Sequence, residues 1–246
     1  MIVAVAIFIA LASFVYAIAG QAGGTAFIAV MALANFPQAQ IRPTALVLNV
    51  VASGYATWRL HQYGLIDWKL FRSIVVGSIP MAVFGGMIVV EGSGYMMITG
   101  VLLAVAACLI VARLRDGQLE EQVISPSRTW SAVAGAAIGF LSGLSGIGGG
   151  VFVAPLLIFS RRATTRTAAS ICAPFILVNS LPALIAALAI GQHPLPDTFF
   201  FALAALAGAI AGTAISAKLR STKTIRIVLA GVIAVASARL ILLALS

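Results

Sequence analysis

The chain of 246 residues is 62% hydrophobic and 9% charged, with a mean hydropathy of +1.13. A soluble domain of this size does not carry that balance, so composition places the chain among polytopic membrane proteins. Its net charge of +9 lies in short connections between apolar runs, where it reads as a topology signal rather than a nucleic-acid surface.

In chain order, long apolar runs cover 2–19, 41–60, 70–90, 95–111, 168–190, 198–217 and 225–245. Most are near the ~20 residues a spanning helix needs. Three shorter pieces, 24–36, 130–144 and 150–159, are predicted to cross only part of the hydrocarbon layer. Ala17-Ile18-Ala19 before Gly20 has the look of a signal-peptide cleavage site, yet no basic segment precedes it and it has a counterpart mid-chain. Cys108 and Cys172 lie singly inside apolar runs and read as small core residues. No metal site and no cofactor are expected.

The glycine-rich stretch "GLSGIGGGVFVAP" at 143–155 interrupts this pattern. Glycine disfavours continuous helix by up to about 1 kcal/mol per residue relative to alanine. A break that dense at membrane depth needs a purpose. The stretch also has a counterpart: "GQAGGTAFIAVMAL" at 20–33 aligns with "SGIGGGVFVAPLLI" at 145–158, pairing Gly23-Gly24-Thr25 with Gly148-Gly149-Gly150 and Phe27 with Phe152. Further along, Arg42 pairs with Arg166, Asp67 with Asp197, and Gly85-Gly86 with Gly212-Thr213. The expected organisation is a first repeat at 1–112, a cytoplasmic linker at 113–128 and a second repeat at 129–246.

Each half begins with a glycine-broken element and continues with three spans. If the broken element turns back as a re-entrant hairpin, all of the 15 Lys and Arg except Arg42 and Arg239 fall on one face; if it crosses, they divide almost evenly. The positive-inside rule favours the hairpin, with the basic face cytoplasmic and both termini outside. Three spans per half then insert the second half upside down, and the two hairpin tips meet near the midplane. The expected fold is all-α, two inverted repeats each with a glycine-broken hairpin plus three transmembrane helices. Returning arms that start near Thr25 and Gly150 aim free N–H groups and positive helix ends at a shared centre, which suits an anion.

Candidate substrate-binding residues follow from this geometry. Gln21, Thr25, Ser142 and Ser145 can donate to oxyanion oxygens at the turns, or else cap the broken helices. Gly23, Gly24, Gly148, Gly149 and Gly150 bring backbone close to a ligand. Asn49 and Asn179 are amides inside spans, suited equally to substrate contact and to joining helices. Arg42 and Arg166 are placed at opposite faces as gates that attract an anion, with snorkelling as the plain alternative. Arg239 is expected to snorkel outward, Asp67 and Asp197 to cap helices, and Gly208 and Gly212 to form a close-packing face. No carboxylate lies within an apolar run: Glu91 is in an outer turn, and Glu120 and Glu121 are in the linker. Gly143-Leu144-Ser145-Gly146 also fits the GxSG of intramembrane serine proteases, but His61 and His193 lie in connections on opposite faces, poorly placed to serve as a base.

The motif "GFLSGLSGIGGGVFVAPLLI" at 139–158, with its degenerate partner "AGQAGGTAFIAVMAL" at 19–33, resembles the TauE/SafE sulfite-exporter family. That resemblance implies a non-enzymatic transporter of sulfur-containing anions such as sulfite, thiosulfate or organosulfonates in a bacterial inner membrane. The expected partners are the anion and the bilayer, with a homodimer left open and no nucleic acid. Gln21 facing Gly146, Thr25 facing Gly150, and Val30 facing Pro155 are departures that would tune the anion that fits.

Overall fold

A computed structural model describes residues 2–90, 92–115, 127–216 and 223–245. Most of the linker expected at 113–128, together with Glu91, Glu120, Glu121, Lys218 and Arg220, lies outside the described residues. The described chain is helical throughout: α1 (Ile2–Ile18), α2 (Gly24–Leu33), α3 (Gln38–Gln62), α4 (Trp68–Met87), α5 (Gly92–Arg115), α6 (Arg128–Ser145), α7 (Gly150–Phe159), α8 (Thr165–Ala189), α9 (Thr198–Ser216) and α10 (Lys223–Leu245). Among the described residues, four helices (α4, α5, α8 and α9) are long and apolar enough to cross a membrane by length and composition. The chain is a multi-pass membrane protein.

Helix ends follow local chemistry. Asp67 caps α4 as expected, its Oδ1 accepting from the Leu70 N–H at 2.9 Å. Asp67→Ala is expected to cost about 1 kcal/mol, seen as a lower melting temperature in detergent. Ser127 caps α6 in the same way, accepting from Trp130 N–H at 3.2 Å. That cap helps make α6 an 18-residue helix of roughly 27 Å, longer than the partly crossing piece expected at 130–144.

Packing repeats in pairs. α4 packs on α6 as α9 packs on α1; α4 meets α8 as α9 meets α3; α2 touches α10 as α7 touches α5; and α3 packs on α8 and α5 on α10. Helix directions come from the contacts. Gly135, Gly139 and Gly143 of α6 face Ile74, Ser78 and Ala82 of α4 in the same order, so α4 and α6 run parallel. Gly208 and Gly212 of α9 face Ala10 and Phe14 of α1, so these are parallel too. By contrast, Leu46 packs on Ala183 and Ala187 while Gly54 meets Leu177, which makes α3 and α8 antiparallel. With these directions and with the short connections α2–α3, α3–α4, α7–α8 and α8–α9 acting as reversals, α2 runs opposite to α1, and α7 opposite to α6.

These close helix pairs are built on glycine. A Cβ on Gly135, Gly139 or Gly143 would stand 2.0–2.2 Å from a carbonyl oxygen of α4, and one on Gly208 or Gly212 would stand 2.2 Å from a carbonyl of α1. The close-packing face expected at Gly208 and Gly212 is present. The longer stripe on α6 was legible as three glycines at spacing four, a pattern the glycine-rich turn beside it obscures.

The register of the repeat shifts by one residue from the sequence alignment. Left-handed backbone occurs at Gly20 and Gly146, at Gly23 and Gly149, and at Asn35 and Arg161, and Gly23 and Gly149 each precede the first residue of α2 and α7. Gly24 therefore corresponds to Gly150, Thr25 to Val151 and Gln21 to Ile147, not Thr25 to Gly150 or Gln21 to Gly146. Matching by glycine identity missed this, because backbone conformation selects the helix-start position and Gly148 is the additional glycine of the second turn.

Candidate functional site

The two glycine turns meet in the protein interior. A Cβ on Gly24 would lie 2.1 Å from the Ile147 carbonyl oxygen and 2.7 Å from Asn49 Nδ2, so only glycine lets α2 start against the opposite turn. Asn49 completes the junction by donating from Nδ2 to the Gly146 carbonyl at 3.0 Å. Since Gly146 supplies an acceptor, the amide nitrogen must face it, and Oδ1 is left without a partner.

Several buried polar atoms lack any hydrogen-bond partner within the protein, among them Ser142 Oγ, Ser180 Oγ, Asn49 Oδ1 and Asn179 Oδ1. All four side chains are fully buried. Asn49 Nδ2 and Ser180 Oγ converge on Gly148, 3.0 and 3.3 Å from where its Cβ would be, and Ser142 approaches Gly149. The first N–H groups of α7 have no intrahelical acceptor. Each unmade buried bond costs about 1–3 kcal/mol, so these atoms are available to bond a ligand or water. The groups here that can take an oxyanion's oxygens are the two serine hydroxyls and the first backbone N–H groups at the positive end of α7.

Other predicted residues behave differently. Thr25 hydrogen-bonds the buried Tyr16 hydroxyl, so the first turn is more internally satisfied than the second. Gln21 is buried beside it. Ser145 Oγ donates to the Leu141 carbonyl at 2.6 Å and accepts from the Ile147 N–H at 3.3 Å, which makes it a cap. Its oxygen is thereby committed, and His61 packs edge-on against Trp68 at the α3–α4 turn, away from it. Asn179 donates back to the Phe175 carbonyl of its own helix at 2.7 Å.

The paired arginines are not equivalent. Arg166 is exposed near the start of α8, whereas Arg42 is 2% exposed inside the protein. Its guanidinium donates to the carbonyls of Gly85 at 3.1 Å, Gly86 at 2.5 Å and Ile88 at 2.8 Å, capping the C-terminus of α4, and its Cγ packs under Gly146. Nor does Arg239 snorkel freely: it donates to the carbonyls of Ala32 and Leu33, at 3.0 and 2.5 Å, and to the Asn35 side chain, closing the end of α2. Ser180, Tyr16 and Tyr95 were not anticipated. Ser180 was signalled only by adjoining Asn179 in an otherwise apolar run, and Tyr95 by nothing local.

Two glycine turns that meet beside buried, unbonded polar side chains belong here to an all-helical membrane protein. The family profile described as Sulfite exporter TauE/SafE matches residues 5–240, and the chain belongs to that family of membrane transporters. A probable membrane transporter protein, y4hK, from Sinorhizobium fredii is 33% identical over 243 residues, covering 96% of this chain and 98% of the relative. No solved structure matches the chain.

Proposed function

We propose that the chain is an inverted-repeat secondary transporter that exports small sulfur-containing anions, such as sulfite or organosulfonates, bound between two re-entrant hairpin tips. The observation that carries this reading is the unsatisfied cluster of Ser142, Ser180 and Asn49 at the start of α7, where the opposite turn arrives through Gly24. The opposed directions of α1 and α2, and of α6 and α7, support hairpins that return to the face they left. The reversed direction of α6 relative to α1 supports inversion of the second half. Charge then puts the face bearing both chain ends outside the plasma membrane. Rocking of the halves about the tips provides alternating access.

The cradle has both donors and acceptors. Ser142 and Ser180 hydroxyls, with first-turn N–H groups, take the anion's oxygens, and the amide oxygens of Asn49 and Asn179 can accept from an anion that keeps one proton, as hydrogensulfite does. At a cytoplasm-negative potential an uncoupled monoanion gains about 2.3 kcal/mol per 100 mV on leaving, so export needs no second ion.

The test is thermal stabilisation of purified protein by sulfite, thiosulfate, sulfoacetate, taurine and acetate. Selective stabilisation by a sulfur anion is expected. Ser142→Ala removes a hydroxyl that bonds nothing in the protein, so the ligand-free variant is expected to melt at or slightly above wild type, with anion affinity lower by about tenfold. Equal response to acetate, or unchanged affinity in Ser142→Ala, would remove the cradle from the reading.

A further inference from the structure

A cleft of about 600 Å³ opens at the face where α3 and α5 begin, between the α4–α5 and α8–α9 turns. Its rim carries Gln38, Gln40, Gln192 and His193, uncharged or weakly basic hydrogen-bonding groups, and Tyr95 lines it. The Tyr95 side chain is itself buried, 6% exposed, and its hydroxyl donates to the Ser145 carbonyl at 3.1 Å. Ser145 is the last residue of α6, and the next residues, Gly146 and Ile147, are those that Asn49 and Gly24 meet. One aromatic side chain thus lines an open cleft and touches the backbone of the buried turn.

Nearby backbone is held firmly. The Ile88 carbonyl, one residue before the lining Val89, is fixed by Arg42, whose side chain also packs under Gly146. Tyr95 is joined to the turn by one neutral hydrogen bond, worth about 0.5–1.5 kcal/mol net. It lacks the charge assistance of the Arg42 bonds that hold the end of α4.

We propose that this cleft is the aqueous access route to the hairpin tips and that Tyr95 is its gate, opening when its hydroxyl releases the Ser145 carbonyl. The proposal rests on the preceding reading that the tips form the substrate site, and it adds the route and the residue that controls it. A small hydrated oxyanion fits the cleft, and the rim amides and imidazole can replace part of its water shell.

The experiment uses full-length protein in nanodiscs with Cys108→Ala and Cys172→Ala, confirmed monodisperse. Ser145→Cys then places a thiol on the residue whose carbonyl Tyr95 holds. Its modification by the anionic reagent 2-sulfonatoethyl methanethiosulfonate is expected to be slow. Adding Tyr95→Ala is expected to accelerate it by about tenfold, the equivalent of one lost hydrogen bond. Adding Gln192→Trp, which obstructs the cleft and leaves Tyr95 intact, is expected to slow it below the parent rate, an effect that unfolding cannot imitate. A rate within about twofold of the parent in either variant overturns the proposal. Protection of the thiol by thiosulfate is read separately: gating without protection sinks the anion site and leaves the route standing.

Discussion

Arg42→Met is expected to lower the melting temperature in detergent by roughly 10 °C. Three carbonyls at the end of α4 accept from this one guanidinium, two of them from buried Gly85 and Gly86. Hydrogen bonds to a charged group are worth about 1.5–3 kcal/mol each, and part of that is offset because the substitution also removes a buried charge. A net loss of about 3–5 kcal/mol remains, which at roughly 2–4 °C per kcal/mol for a chain of this size gives the stated shift. Arg42→Lys keeps the charge but lacks the planar fork and is expected to fall between the two. Arg166→Ala, at an exposed position, is expected to stay within about 0.5 kcal/mol of wild type. Equal melting of Arg42→Met and Arg166→Ala would mean that the buried arginine does not hold the end of α4.

The second large effect is expected at Gly139. An added methyl there would stand 2.2 Å from the Ser78 carbonyl oxygen and 2.7 Å from its Cα, both backbone atoms that cannot rotate away. Relief requires α4 and α6 to move apart, and the contacts at Gly135 and Gly143 then open with them. Gly139→Ala is expected to cost about 3 kcal/mol, the upper end of overpacking, despite alanine's better helix propensity. Gly54 provides the opposite case. Its Cβ would make only an ordinary contact with Leu177 Cδ1 at 3.9 Å, so Gly54→Ala is expected to stabilise by up to about 1 kcal/mol. Thermal unfolding of both variants checks the pair, and similar behaviour would mean that the glycine seam is not a tight constraint.

The cost at Gly139 bears on function through geometry. α6 carries Ser142 and ends at Ser145 and Gly146, so its placement against α4 sets where the polar cluster and the Tyr95 contact lie. The α4–α6 seam also brings Gly85 against the Phe140 carbonyl, next to the residues that Arg42 caps. Stability of the seam and geometry of the site are therefore coupled, and substitutions in both are expected to be non-additive.

Several features were readable in the chain because they depend on local chemistry. Apolar runs indicate helices in a membrane, since lipid offers backbone groups no other partner. Dense glycine at 146–150 indicates a turn, and left-handed backbone at Gly146, Gly148 and Gly149 shows why. Asp67 precedes its helix and caps it. The motif at 139–158 is specific enough to indicate the family, which the profile match establishes.

Other features depend on which distant residues meet. Nothing in "QIRPTALVL" says that Arg42 turns inward to the end of α4, because that acceptor site exists only once the fold brings the last carbonyls of α4 within reach of α3. Similar limits applied to the polar groups: Ser142, Ser145 and Ser180 look alike in sequence, yet Ser145 is spent as a cap while the other two hydroxyls remain unbonded. Sequence by itself determined membrane residence, helical class, the duplicated glycine turns and the family. Tertiary structure decided the repeat register, the inward turn of Arg42 and the hydroxyls left open, because each depends on long-range packing that composition and spacing do not encode.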